Sequence, residues 1–270
     1  MPEDMAEEEP TEETRAARAR HRRILRASTA DAGDAAKMGR DSGFLRRWSQ
    51  LFGRILREHG AVALQEIGSP VDWTDSPGIT RWLEQKAITF ADAAFDAYAD
   101  DVRETVAAGL AAGETEAQIA ERLDRDVFDG RKRNAPAVAR TESVGTANAG
   151  RDEAYRQAGL TEHEWVTTRD DAVRDSHAAL DGSVVAIGTP FANGLEFPGD
   201  TAHGTPADFV NCRCDLIGVI PGAAMTPWTA ERKDAQWRAF DSRLRSDERA
   251  VAALFVAYVD EQRRRVLATL

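Results

Sequence analysis

Apolar residues recur at helical spacing through most of the chain and alternate only briefly beyond its middle. In residues 43–67, Phe44, Trp48, Leu51, Phe52 and Ile55 share one stripe, with Arg46, Arg47, Arg54, Arg57 and Glu58 opposite, which predicts an amphipathic helix. Pro70 and Pro77 break the pattern in residues 69–78. A second stripe from about Ile79 to Ala112 runs through Leu83, Ala87, Phe90, Ala94, Tyr98, Val102, Val106 and Leu110. A helix of that length would reach roughly 45–50 Å, which suits a stalk or a bundle. Gly113 is a helix stop. Thr115 and Gln118 form a capping box that opens a helix burying Ile119, Leu123 and Val127, with Gly130 as its end. Asn134 as cap and Pro136 in the first turn then start another helix, which runs to about Ala158 and stops at Gly159. Its interior is rich in Ala and Gly, so another segment must pack closely on it.

Beyond Gly159 the texture changes. Residues 163–168, 183–188 and 214–220 are short strand candidates, rich in β-branched and aromatic side chains and separated by Gly/Pro/Asp-rich loops. From Trp228 the pattern is helical again, with Trp237, Phe240, Leu244, Val251, Leu254, Phe255 and Tyr258 on one face. The fold class expected is a mainly helical α+β: long helices, then a small loop-rich module with short β-strands, then a C-terminal helix. The organisation expected is a charged flexible tail over 1–30, a helical rod or bundle over 31–113, the module over 114–220 and a C-terminal helical segment over 221–270.

Charge narrows the partners. The chain has 270 residues with 35 Lys+Arg against 46 Asp+Glu, a net of −11, which disfavours nucleic-acid binding as the main activity because such binding neutralises phosphates. No stretch approaches the ~20 apolar residues of a spanning helix. The acidic start has no apolar run, so neither a signal nor a transit peptide is expected and the protein should remain in the cytosol. Residues 1–14 carry seven acids and residues 15–26 six Arg, opposed blocks read as a solvated end rather than an interaction arm. The two cysteines, Cys212 and Cys214, are too close for an unstrained disulfide and should be reduced thiols.

Chemistry-bearing residues concentrate in 140–220: Arg140, Thr141 and Glu142; Trp165; Asp170 with Asp171; Arg174; His177; Asp181 and Gly182; Pro198 with Gly199; Asn211, Cys212, Arg213 and Cys214. Residues 160–220 hold ten acids, three Arg and no Lys, so this irregular stretch needs internal bonds, a metal or a partner to hold it. His177, Cys212 and Cys214 have the donors zinc favours, with His203 or an acid such as Asp175 to complete four ligands. Against that, zinc cysteines are usually spaced by about two to four residues. Otherwise the thiols would share a strand face and pack as small hydrophobes, with His177 hydrogen-bonded to a carboxylate or carbonyl. A Cys–His nucleophile lacks a Gly-rich elbow. A zinc deaminase is excluded by spacing. A magnesium nuclease would use Asp170, Asp171, Asp175 and His177. The preferred reading is architectural: Arg140 and Glu142, near the start of a helix, and Arg174 would pair with acids of the 160–220 region and pin its loops against the Ala/Gly-rich helix.

The order of these motifs resembles the phage Mu F-like head morphogenesis family, the minor head proteins of tailed phages. The match runs from about Thr115 to Ile220: an Ala-Arg-Thr-Glu helix (139–142), a Gly, a Trp strand, an Asp with Arg174 before His177, Leu180-Asp181-Gly182, Pro198-Gly199 and Asn211-Cys-Arg-Cys. The resemblance implies a structural virion component with no enzymatic activity, present in few copies inside the head at the portal vertex and in host cytoplasm during assembly. Its partners would be the portal protein and other head proteins, with no strong nucleic-acid binding and no membrane. Its role would lie in procapsid assembly, with DNA packaging or ejection. Some relatives carry toxin domains after the module; the helical segment after residue 220 leaves no room for a sizeable one. No cofactor is expected, zinc being the metal the donors suit. The alternative is a metal-dependent enzyme, a nuclease or peptidase, centred on His177, Cys212 and Cys214.

Overall fold

The computed structural model describes residues 43–220 and 230–268. The charged tail over 1–30 and a helix start at Trp228 lie outside the described residues. Helix α1 (Gly43–Glu66) buries Phe44, Trp48, Phe52 and Ile55, the stripe read from the sequence. Helix α2 (Pro77–Ala111) starts where Ser76 Oγ accepts the Ile79 N–H, and it ends before Gly113, whose φ of 72° supplies the left-handed turn. Helix α3 (Glu116–Arg122) opens with the Thr115–Gln118 capping box.

The sequence reading fails at the next boundary. The chain passes from α3 through a π-helical turn (Leu123–Phe128) into α4 (Asp129–Gln157) without a break. Gly130 therefore stops nothing, and Asn134 and Pro136 sit inside α4 rather than at its start. Gly inside a helix costs only about 1 kcal/mol relative to Ala. The wider π turn lets Leu123, Val127 and Phe128 all reach the interior, and that burial outweighs the local signals.

Strand β1 (Glu162–Val166) is central in an antiparallel sheet of order β2-β1-β3, flanked by β2 (Val184–Ala186) and β3 (Asp215–Val219). Trp165 faces Leu216 across the ladder, and His163 faces Gly218 on one side and Val185 on the other. Two four-residue helices, α5 (Asp175–Ala178) and α6 (Pro206–Phe209), interrupt the loops. Helix α7 (Ala230–Leu267) follows. The fold class is the mainly helical α+β expected. No described helix is long and apolar enough to cross a membrane.

Contacts group the chain into two units, one of Gly43–Thr89 with Lys132–Tyr258 and a smaller one whose described parts are Phe90–Arg131 and the stretch from Val259. These boundaries fall within α2, α4 and α7, because one long helix meets different partners at different points along its length. In the smaller unit Tyr98 packs on Phe128 with ring centroids 6.0 Å apart, and Arg263 pairs with Asp124.

The larger unit is organised around α4. A Cβ on Gly145 would lie 2.2 Å from the Gly199 carbonyl oxygen, and one on Gly150 would lie 2.2 Å from that of Leu56. Backbone therefore meets backbone on both faces of the Ala/Gly-rich stretch, the close packing its composition implies. Arg151, fully buried, donates through Nε to the Leu216 carbonyl at 2.7 Å, and its Nη2 pairs with Glu66 at 2.7 Å. The same Nε lies 3.0 Å from buried Asp215. Burial pushes the Asp215 carboxyl up to about 7, against the pull of Arg151. Burial also opposes the Arg151 charge, but Asp215, Tyr155 and Glu66 overcome it and raise its pKa.

Gly145→Ala and Gly150→Ala are each expected to cost at least about 2 kcal/mol in urea unfolding. Gly78→Ala, whose Cβ would meet only Ser76 Oγ at 3.6 Å, should change stability by less than about 1 kcal/mol. Arg151→Met should cost about 3–5 kcal/mol by stranding Asp215. Combined with Asp215→Asn, it should cost less than the two single losses summed.

Candidate functional site

Three turns bring the signature residues together. After β1, the Asp181 carboxylate accepts the Thr167 N–H at 2.9 Å and the Arg169 guanidinium at 2.8 Å, while the Gly182 N–H returns to the Trp165 carbonyl. This closes residues 167–182 back onto the sheet and sets α5 beside it. Farther on, Thr205 and Asp208 cap α6 reciprocally. Then Asn211 takes a left-handed φ of 57°, a conformation Asn tolerates better than most residues, and its N–H is held by Thr141 Oγ at 3.0 Å. The chain is thereby turned so that Cys212 and Cys214 both point under α5. Asn148 anchors the same segment: its Nδ2 donates to the Pro198 and Cys214 carbonyls, and its Oδ1 accepts the Leu216 N–H.

The result is a cluster of three buried side chains. His177 Nδ1 lies 3.7 Å from Cys212 Sγ and 3.5 Å from Cys214 Sγ. The Trp165 ring braces the imidazole edge-on at 5.2 Å. A hollow of about 220 Å³, counting the part open to solvent, adjoins the cluster and is rimmed by Thr168, Arg174, Asn211 and Arg213. Hydrogen bonding from Cys214, and next from His177, pulls the Cys212 thiol down against its burial. Bonding to Cys212, together with burial, pushes Cys214 up. The pair thus gives up one proton readily and resists losing the second. Beside it, Arg213 grips Asp170 through two hydrogen bonds of 2.7 and 2.5 Å and holds that carboxyl down at about 2.

Several expected contacts do not form. Arg140 and Glu142 lie inside α4 and pair away from the 160–220 region: Arg140 with Glu248 on α7, and Glu142 with Lys86 on α2 at 2.8 Å. Arg174 donates to the Val210 carbonyl. The partners of the 160–220 acids come from elsewhere: Arg151 for Asp215, Lys233 for Glu164, Arg169 for Asp181, Arg213 for Asp170 and His203 for Asp200. Because His203 is engaged by Asp200, it does not join the cluster, and Asp171 and Asp175 are exposed. Among the described residues, His177, Cys212 and Cys214 are the only grouping of metal-binding side chains, so the four-group magnesium arrangement is not assembled. The two thiols do share a face, but they meet an imidazole nitrogen rather than apolar neighbours alone. Neither a carboxylate nor a carbonyl meets His177 Nε2, which has no hydrogen-bond partner.

Asn148, Arg151, Glu66 and Lys86 were missed by sequence reasoning. One signal was present: Thr141, Gly145, Asn148, Asp152 and Tyr155 recur at spacings of three and four, a small and polar stripe on a helix with no apolar face.

Residues 100–217 match the family model described as Phage Mu protein F like protein. The chain carries a Mu F-like domain. This bears out the resemblance read from the motifs. A protein of Enterococcus faecalis named NAD(+)--arginine ADP-ribosyltransferase EFV is 30% identical over 132 residues, 47% of this chain and 27% of that protein. An uncharacterized protein of Haemophilus influenzae is 28% identical over 123 residues, 46% of this chain and 25% of that protein. The chain thus matches about a quarter of the length of each of these relatives. No solved structure matches.

Within the Mu F-like domain, Arg213→Gln should return the Asp170 carboxyl from about 2 towards the ordinary value of about 4, read by NMR titration. The depressed pKa means that the pair stabilises the fold above about pH 4, and that this contribution fades as pH falls towards 2. The variant should lose that acid-range dependence.

Proposed function

We propose that the protein is a minor head component of a tailed phage, built into the shell at the portal vertex during procapsid assembly and acting through shape and docking rather than bond-making. The observation that carries this reading is the Mu F-like match over residues 100–217. The way the domain's polar residues are used supports it. Thr141, Asn148, Asp181 and Arg174 each hold a backbone group of a neighbouring segment, as a scaffold requires. The net charge of −11 favours protein partners over packaged DNA, so the portal protein and other head proteins are the expected contacts, with the virion as destination.

The alternative, a metal-dependent nuclease or peptidase, draws on the convergence of His177 with both cysteines. It is weaker because the exposed Asp171 and Asp175 stand apart from that cluster. The activity in the name of the Enterococcus protein is not carried over, since the shared part is 27% of that protein.

Purified particles from a phage or lysogen carrying this gene provide the test. Quantitative mass spectrometry should find the chain at a copy number far below that of the major capsid protein, and shells assembled without portal should lack it. Absence from particles despite expression would defeat the reading, as would magnesium-dependent DNA cleavage abolished by His177→Ala.

A further inference from the structure

We propose that His177 Nδ1, Cys212 Sγ and Cys214 Sγ are three ligands of a tetrahedral zinc ion whose fourth position, facing the adjoining hollow, is taken by water. The donor set is the first argument. Two sulfurs and one imidazole nitrogen are the soft-to-borderline combination that zinc binds well and that calcium, magnesium and manganese do not.

Geometry is the second argument. With Zn–S near 2.3 Å, Zn–N near 2.0–2.1 Å and tetrahedral angles, a nitrogen-to-sulfur edge is about 3.6 Å. The two observed edges are 3.7 and 3.5 Å, and all three donor atoms lie within 4.8 Å of one another. An ion would fit between them without moving backbone. A simple thiol–imidazole hydrogen bond needs one sulfur; here a single ring nitrogen stands almost equally far from two.

Chain architecture is the third. Despite the short spacing, Cys212 and Cys214, just before β3, turn both sulfurs to one face, where each lies within 3.7 Å of His177 Nδ1. The left-handed Asn211, held by Thr141, aims that face at α5. Charge also balances. Two thiols lose their protons to solvent as the dication binds, so the buried centre is neutral and needs no nearby carboxylate. Asp170 and Asp200, the acids of neighbouring turns, are already held by Arg213 and His203. The ion would staple His177 to residues 35 and 37 positions farther along, tying α5 to the start of β3.

The staple is independent of the head-protein reading, and its test needs no phage. The full chain is purified reduced and without chelator, and its metals are measured by mass spectrometry; about one zinc per chain is expected. After removal of zinc, titration with cobalt(II) should produce the visible absorption of tetrahedral cobalt together with thiolate-to-cobalt charge transfer, both erased by added zinc. Cys212→Ser, Cys214→Ser and His177→Gln should each lower uptake at least about tenfold. Folded, reduced wild-type chain that binds neither metal overturns the proposal, as does cobalt absorption without the charge-transfer band. Because both of these are read on wild-type protein, a variant that fails to fold does not rescue the idea. Undiminished metal binding in the Cys212→Ser, Cys214→Ser double variant also overturns it.

Discussion

A helix enclosed on all sides must either be apolar throughout or hand its polar side chains to its surroundings. Between Thr141 and Tyr155, α4 takes the second course. Its glycines let foreign backbone approach to contact distance, and its Thr, Asn, Arg and Tyr side chains then satisfy the backbone groups that such an approach strips of water. Close approach and hydrogen bonding depend on each other. A larger residue at Gly145 would push the Pro198–Gly199 turn away from Asn148, one at Gly150 would press against α1 at Leu56, and without Asn148 and Arg151 the Pro198, Cys214 and Leu216 carbonyls would lose donors.

The loop-rich region after β1 gains its order from this helix and from itself. Of its acids, Glu164, Asp170, Asp181 and Asp215 are paired with cations from α4, α7 and its own turns. Such pairs, buried for Arg151–Asp215 and partly exposed for Arg169–Asp181 and Arg213–Asp170, add little net stability, but each favours one geometry, so together they help select a single arrangement of otherwise irregular chain. That suits a component whose surface must present one shape to neighbours in an assembly.

The thiol–imidazole cluster lies where these constraints meet. Cys214's carbonyl is held by Asn148, the turn before Cys212 by Thr141, and the imidazole by Trp165. The backbone that presents the donors is thus set by bonds that do not involve them. Such preorganisation serves a metal staple and a scaffold equally well, since both need donors held in place.

Local regularities of the sequence were enough for the helices with a clear apolar stripe, the Thr115–Gln118 capping box, the glycine stops at 113 and 159 and all three strands, because each depends on residues within a few positions of one another. They were enough also for the family, whose signature is an order of motifs, and for naming His177 and both cysteines as potential ligands. They misjudged Gly130, Asn134 and Pro136, whose local stop and start signals were overridden by burial of the continuous helical face. They misassigned Arg140, Glu142 and Arg174 and passed over Asn148 and Arg151. Tertiary structure alone decided those roles. A charge or amide carries no mark of its partner in sequence, and Lys86 and Glu142, or Arg151 and Asp215, become a pair only when packing brings distant segments together and excludes the water that would otherwise serve both.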